Sequence, residues 1–249
     1  MKKKFLTNLI LLLVLNLLVK PFWILGIDLS VQNVVGTEAY GFYFSLFSFS
    51  LLLNIFLDTG ITQYNTRLIA RDPSLLSSVF PDIVGLRIFL GILYAAVGLG
   101  VGWLLGYGHE QFSLLWILLL NQFLASFILF LRSNFSGLHL FRTDSFLSVT
   151  DSLIMIGICS LLLWGNITSR PFRIEWFVYA QTVSYLITFV ISFLLLLPHT
   201  GKIRISLQLP LWKSIFRKSW PFASLVLLMG LYYRVDTVML ERMLPDGRY

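Results

Sequence analysis

The stretch FLTNLILLLVLNLLVKPFWILGIDLSVQNVV, residues 5–35, holds only two charged side chains, Lys20 and Asp28. A helix needs about 20 apolar residues to cross the hydrocarbon of a bilayer, and this run exceeds that. Three lysines, Lys2 to Lys4, precede it, as they would a signal peptide. The apolar run continues far past a signal core and no small-residue cleavage site follows, so the sequence predicts a retained first span. Pro21 falls near its middle. A mid-helix proline removes a backbone hydrogen bond and kinks the helix.

Six further segments read the same way, at about residues 40–61, 83–105, 112–131, 146–164, 174–197 and 220–240. The second runs on into a polar amphipathic stretch, TQYNTRLIAR. The third is rich in glycine (Gly85, Gly91, Gly98, Gly100, Gly102), and small residues let helices approach closely in a membrane. The expected fold is all-α: a polytopic transmembrane helix bundle of about seven spans.

Composition agrees. The chain is 57% hydrophobic and 12% charged, and a soluble domain carries about twice that charged fraction. The net charge of +7 is no signal for nucleic acid, because the basic residues bracket the spans. With the N-terminus inside, the cytoplasmic segments hold Lys2, Lys3, Lys4, Arg67, Arg71, Arg132, Arg142 and a cluster from Lys202 to Lys218. The opposite side holds Arg170, Arg173, Arg242 and Arg248. That bias predicts a cytoplasmic N-terminus, and an odd number of spans then puts the C-terminus outside. A single cysteine, Cys159, rules out a disulfide framework or zinc site within one chain and reads as a small buried residue. No P-loop, HExxH, GxSxG or CxxC is present, so no catalytic residue, metal or cofactor is expected.

Function must then lie in the charges that the spans carry, because a charge in hydrocarbon needs a partner or a water-filled cavity. Lys20 sits near the centre of the first span, too deep to snorkel easily. Asp28 follows about 12 Å further along the axis, too far for a direct pair. Asn8, Asn16, Lys20, Asp28 and Gln32 recur at multiples of four. A four-residue step drifts about 40° from a straight helical face, so this polar stripe winds around the helix unless the Pro21 kink corrects it. The seventh span carries Arg234 and Asp236, which point to opposite faces and need separate partners. Arg87, with Asp82 nearby, is expected one turn into the third span, Asp151 shallow in the fifth, and Asp58 at the inner end of the second. For these an interfacial position explains the charge as well as a cavity does.

The first and seventh spans end alike, in IDLSVQNVVGTEAYGFY and VDTVMLERMLPDGRY, each with an aspartate in the outer half. If Asp28 and Asp236 are equivalent, the chain contains the start of a repeated half, a common transporter plan. KPFWILGIDLSVQNVVGTEAYGFYFSLFSFSLLL resembles the first hairpin of the oligosaccharide flippases, the polysaccharide exporters of bacterial envelopes within the multidrug/oligosaccharidyl-lipid/polysaccharide exporter superfamily. LDTGITQYNTRLIAR resembles the segment after their second helix, and YYRVDTVMLERMLPDG the opening helix of their second half.

The resemblance implies two six-helix lobes, of which residues 1–218 would form the N-terminal one. Residues 219–249 would be the first helix of a truncated second lobe. It implies a bacterial inner (plasma) membrane protein that turns a lipid-diphosphate-linked oligosaccharide, a precursor of O-antigen, capsule or exopolysaccharide, from the inner to the outer leaflet by alternating access. Lys20 and Arg234, with Arg87, would hold the anionic head group. Asp28 and Asp236 would balance those charges or couple to an ion. The partners implied are the lipid-linked substrate, the bilayer, and a glycan polymerase or glycosyltransferases, and no bond is made or broken. One rival is a multidrug or cation exporter of the same superfamily, which would want an acidic, aromatic cavity. Another is a non-transporting membrane assembly subunit. A glycan polymerase or ligase would carry a large extramembrane loop, whereas the longest loop here, His199 to Ser219, is short and basic.

Overall fold

The computed structural model describes residues 2–58, 60–165 and 171–200, with Trp212, Leu228, Tyr232 and Met239 as single positions. The elements are α1 (Lys2–Pro21), a π-helical segment (Phe22–Asp28), α2 (Leu29–Val35), α3 (Thr37–Leu52), α4 (Ile61–Arg71), α5 (Leu76–Leu104), α6 (His109–Gly137), α7 (Phe141–Trp164) and α8 (Ile174–Thr200). Short 3₁₀ turns, Leu53–Phe56 and Pro73–Leu75, link α3 to α4 and α4 to α5. No strand occurs among the described residues. Six helical stretches are long and apolar enough to cross a membrane, from Ile10–Val35 to Ile174–Thr200. The expected seventh span, about 220–240, lies outside the described residues apart from Leu228, Tyr232 and Met239.

Several helices begin earlier than hydropathy predicts. The third span starts at Leu76 rather than about 83, and the fifth at Phe141 rather than about 146. Their first turns are polar, so a hydropathy window misses them, yet backbone hydrogen bonding carries the helix through. Asp72 accepts from the Ser74 backbone N–H at 3.0 Å and from its hydroxyl at 2.6 Å. Those bonds stabilise the carboxylate and hold Asp72 below its ordinary pKa. The second span is shorter than expected. It leaves the α-helix at Leu52, and Gly60 turns the chain with φ +79°, a conformation that side chains rarely adopt.

α6 is the axis of the bundle. It packs against α3, α4, α5, α7 and α8, and 67% of its most apolar window is buried, against 11% for the first span. The first span is therefore peripheral, held on one side by α7. Two apolar clusters fill the bundle. Ile27, Leu46, Leu115 and Phe177 belong to the one at the end where α2 closes. Ile61, Phe80, Phe130 and Leu131 belong to the one at the opposite end, beneath α4.

α4 is the amphipathic helix that the sequence predicts. It buries Ile61, Asn65 and Ile69 and exposes Gln63, Arg67 and Arg71. Burying Asn65 demands partners, and α6 supplies them: its Nδ2 donates to Ser133 Oγ at 2.8 Å and to Asn134 Oδ1 at 2.9 Å. The two backbones come this close because α6 ends in Gly137. A Cβ there would lie 2.8 Å from Ile69 Cβ and 3.2 Å from the Thr66 carbonyl oxygen. Neither atom is the far end of a flexible side chain, so α4 itself would have to move. Gly137→Ala is expected to destabilise the protein by about 1–3 kcal/mol through overpacking. Gly100→Ala, whose Cβ would meet open space, serves as the control. Thermal unfolding in detergent compares them, and equal midpoints would contradict the close approach.

Candidate functional site

The cavity that gathers the most chemistry is enclosed by the first span, α3, α7 and α8 and has a volume of about 300 Å³. Asp28 reaches it from the end of the π segment and Asp151 from α7. The two carboxylates thus converge from different helices. The rest of the wall is largely aromatic: Trp23, Tyr40, Tyr43, Phe44, Phe177 and Tyr185. Trp23 stacks on Phe177 at 5.9 Å between centroids, and Tyr43 meets the same ring edge-on at 5.4 Å.

Each acid is supported differently. The Tyr40 hydroxyl donates to both oxygens of Asp28, at 2.9 and 3.0 Å. This ties the last residue of the π segment to α3. Asp151 is fixed through its backbone, whose carbonyl accepts from the Ser184 hydroxyl of α8. Gln181, also in the wall, accepts from Asn121 Nδ2 at 3.2 Å, which binds α8 to α6. The pocket is therefore an acidic cup held by three packed helices, with Trp23 and Asp28 of the more exposed first span closing one side.

Lys20 stands at the end of α1, exposed, with its charge acting on Asp151. It forms no ion pair within 4.0 Å among the described residues. It is neither sealed in an ion lock nor part of the cavity wall, but lies on the open face beside it. Asp28 does line the cavity. Arg234 and Asp236 lie outside the described residues.

Arg87 is elsewhere. Because α5 starts at Leu76, Arg87 lies three turns into the helix rather than one, and it is 2% exposed. It lines neither this cavity nor the larger one described below. Its Nη2 lies 3.3 Å from Asp58 Oδ2 and donates to Thr62 Oγ1 at 2.6 Å. Nη1 donates to the Ser126 carbonyl at 3.1 Å and hydroxyl at 2.9 Å, and the guanidinium sits 5.0 Å over the Phe130 ring. Thr62 in turn donates to Asp58 through both its backbone N–H and its hydroxyl. Only Nε finds no partner among the described residues. Arg87 thus ties α4, α5 and α6 together, away from both cavities.

Sequence reasoning undervalued Asp151, Tyr40 and Gln181. A signal for Asp151 was available: Ser148, Asp151, Met155 and Cys159 recur at helical spacing on one face of α7. The late predicted start of that helix hid its depth, since Asp151 lies ten residues in. Cys159 is buried, as read from sequence. Tyr40 and Gln181 have no one-dimensional signature, because each matters only through a partner on another helix.

A second, larger cavity of about 830 Å³ opens at the end of the bundle where α2 closes and α3, α6 and α8 begin. Glu38, Glu110 and Glu175 line it, each the second residue of its helix. Acids in a first turn offset the helix dipole, which accounts for all three. Among the described residues no three of His, Cys, Asp or Glu converge to hold a metal ion.

The fold, the buried charges and the acidic cup describe a membrane protein with an internal polar site, and one comparison says of which kind. The family model described as "Polysaccharide biosynthesis protein" matches residues 5–249. The chain belongs to that family. No curated protein and no solved structure matches it. Membership in the polysaccharide biosynthesis family brings an export or flippase-type role in a multi-pass membrane protein. It agrees with the resemblance of the first hairpin and the α4 segment.

In this family member, removing Arg87 would leave Asp58 without its countercharge. Breaking a buried pair on one side costs about 3–5 kcal/mol. Arg87→Ala is therefore expected to lower thermal stability in detergent sharply, and Asp58→Asn in the same chain to restore part of the loss. If Arg87→Ala kept wild-type stability and affected only transport, its structural assignment would be wrong.

Proposed function

We propose that the chain is the N-terminal lobe, residues 1–218, and the opening helix of the second lobe, residues 219–249, of a flippase. Its cargo is a lipid-diphosphate-linked oligosaccharide, moved from the inner to the outer leaflet of a bacterial inner membrane by alternating access. The observation that carries this reading is Lys20. It is a cation in mid-span, exposed on the open face of a thinly packed helix and not locked in an ion pair. A diphosphate cannot cross hydrocarbon bare, and an exposed lysine in mid-span would replace part of its lost solvation. Arg234 of the seventh span adds a second cation in this reading. Asp28, with Asp151 beside it and Asp236 from the seventh span, balances these charges or couples the cycle to a cation. No covalent bond changes, so the protein moves its substrate rather than making it. Glycosyltransferases or a glycan polymerase would supply and consume the cargo.

Orientation follows from charge. Arg67, Arg71, Arg132 and Arg142 cluster at the end of the bundle where α1 begins, while Glu38, Glu110 and Glu175 mark the other. The positive-inside rule assigns the basic end to the cytoplasm.

The composition of the small cavity favours a second reading. Two aspartates, a ring of aromatic side chains and no basic residue in the wall suit an organic cation better than a phosphate. Lys20→Ala separates the two. A charge-assisted contact is worth about 1.5–3 kcal/mol, so on the flippase reading translocation of the lipid-diphosphate oligosaccharide falls roughly 10- to 100-fold in proteoliposomes holding the full-length protein. Lys20→Arg is expected to retain most of it. Unchanged glycolipid movement in Lys20→Ala, with cation export abolished by Asp28→Asn, would establish the exporter instead.

A further inference from the structure

The first span breaks its helix in an uncommon way. From Phe22 to Asp28 the backbone is π-helical, and the Leu29 N–H bonds to the Ile24 carbonyl five residues back. Such turns are rare and concentrate at functional sites. The cause is local. Pro21 has no N–H, so the Leu17 carbonyl four residues earlier loses its donor. Gly26 adds no side chain to resist the wider turn. The π segment also accommodates the four-residue polar repeat, since its turn is wider than the 3.6-residue α turn.

What surrounds the segment differs on its two sides. At its far end Tyr40 grips Asp28 through both carboxylate oxygens, and Ile27 and, one turn on, Val31 are fully buried. Before it, α1 is loosely held: Leu13 is 59% exposed, Leu17 73% and Leu18 67%. One polar contact sets the register of α1 on α7, the 3.0 Å hydrogen bond from Asn16 Nδ2 to Ser148 Oγ. A fixed half and a loosely packed half meet at a turn that holds surplus chain.

We propose that the π segment is a rotary joint. A π turn takes up about one residue more than an α turn, so its relaxation to α-helix rotates α1 against α2 by about 100°. Tyr40 keeps Asp28 in the cup while Lys20, just before the joint, turns with α1. The rotation brings Leu17 to the position on α7 that Asn16 now occupies. That the swing presents or withdraws a cation from cargo rests on the flippase reading; the rotation itself does not.

Crosslinking tests the rotation without any transport assay. In membranes bearing the full chain with Cys159→Ala, a short bifunctional thiol reagent reports two pairs. Asn16→Cys with Ser148→Cys marks the observed register, and Leu17→Cys with Ser148→Cys the rotated one. Both pairs are expected to link. Deleting Ile24 removes the surplus residue and locks the observed register, so the first pair persists and the second falls at least fivefold. Failure of the second pair in the undeleted chain, or its survival after the deletion, overturns the proposal. Should the deletion abolish both pairs, the chain has misfolded and Pro21→Ala decides. Restoring the missing N–H is expected to raise the second pair at least threefold relative to the first, and an unchanged ratio overturns the joint.

Discussion

Hydrocarbon offers no hydrogen bonds, so a charge within this bundle calls for an answer from another part of the protein or a cavity to open on. Arg87 shows the first solution. A cation with 2% exposure is surrounded by Asp58, Thr62, Ser126 and the Phe130 face, contributed by two helices and the turn before one of them. Asp28 and Asp151 show the second, facing a shared cavity. The two solutions divide the lobe. The Arg87 network holds the end beneath α4 as one block, and the carboxylates occupy the end where the chain retains room.

That division explains why one end of the lobe suits a moving part. α4 and α6 interlock through Asn65, Thr66 and the close approach at Gly137, and Arg87 ties α5 to both. Before Asp28 the first span is held by the Asn16–Ser148 hydrogen bond and the Trp23–Phe177 stack, and much of its described surface is open. Dense packing and open surface thus fall on different helices of this polysaccharide biosynthesis family member. The seat of the acidic cup belongs to the frame through Gln181 and Ser184, while its lip belongs to the first span.

Much of this was legible in one dimension. Apolar runs marked the six described spans, and the pattern ITQYNTRLIAR gave α4 its two faces, because both signals depend only on hydrophobic periodicity. The polar recurrence from Asn16 to Gln32 showed that something unusual happens near Pro21, though not that the remedy is a wider turn. Depth was harder. Arg87 and Asp151 looked shallow because polar first turns hid the true starts of α5 and α7. The convergence of Asp28 with Asp151 could not be read at all, since it depends on how α1 lies on α7 and how α8 closes the cup.

The Arg87 network also dictates an order of assembly. A ribosome delivers Asp58 first, then Thr62, and Arg87 only after a further helix has begun. Ser126 arrives last, a full span later. Until α5 emerges, the nascent second span ends in an acid with no countercharge, and until α6 follows, the guanidinium lacks half its acceptors. The second, third and fourth crossings therefore complete one another's polar contacts only when all three are in place.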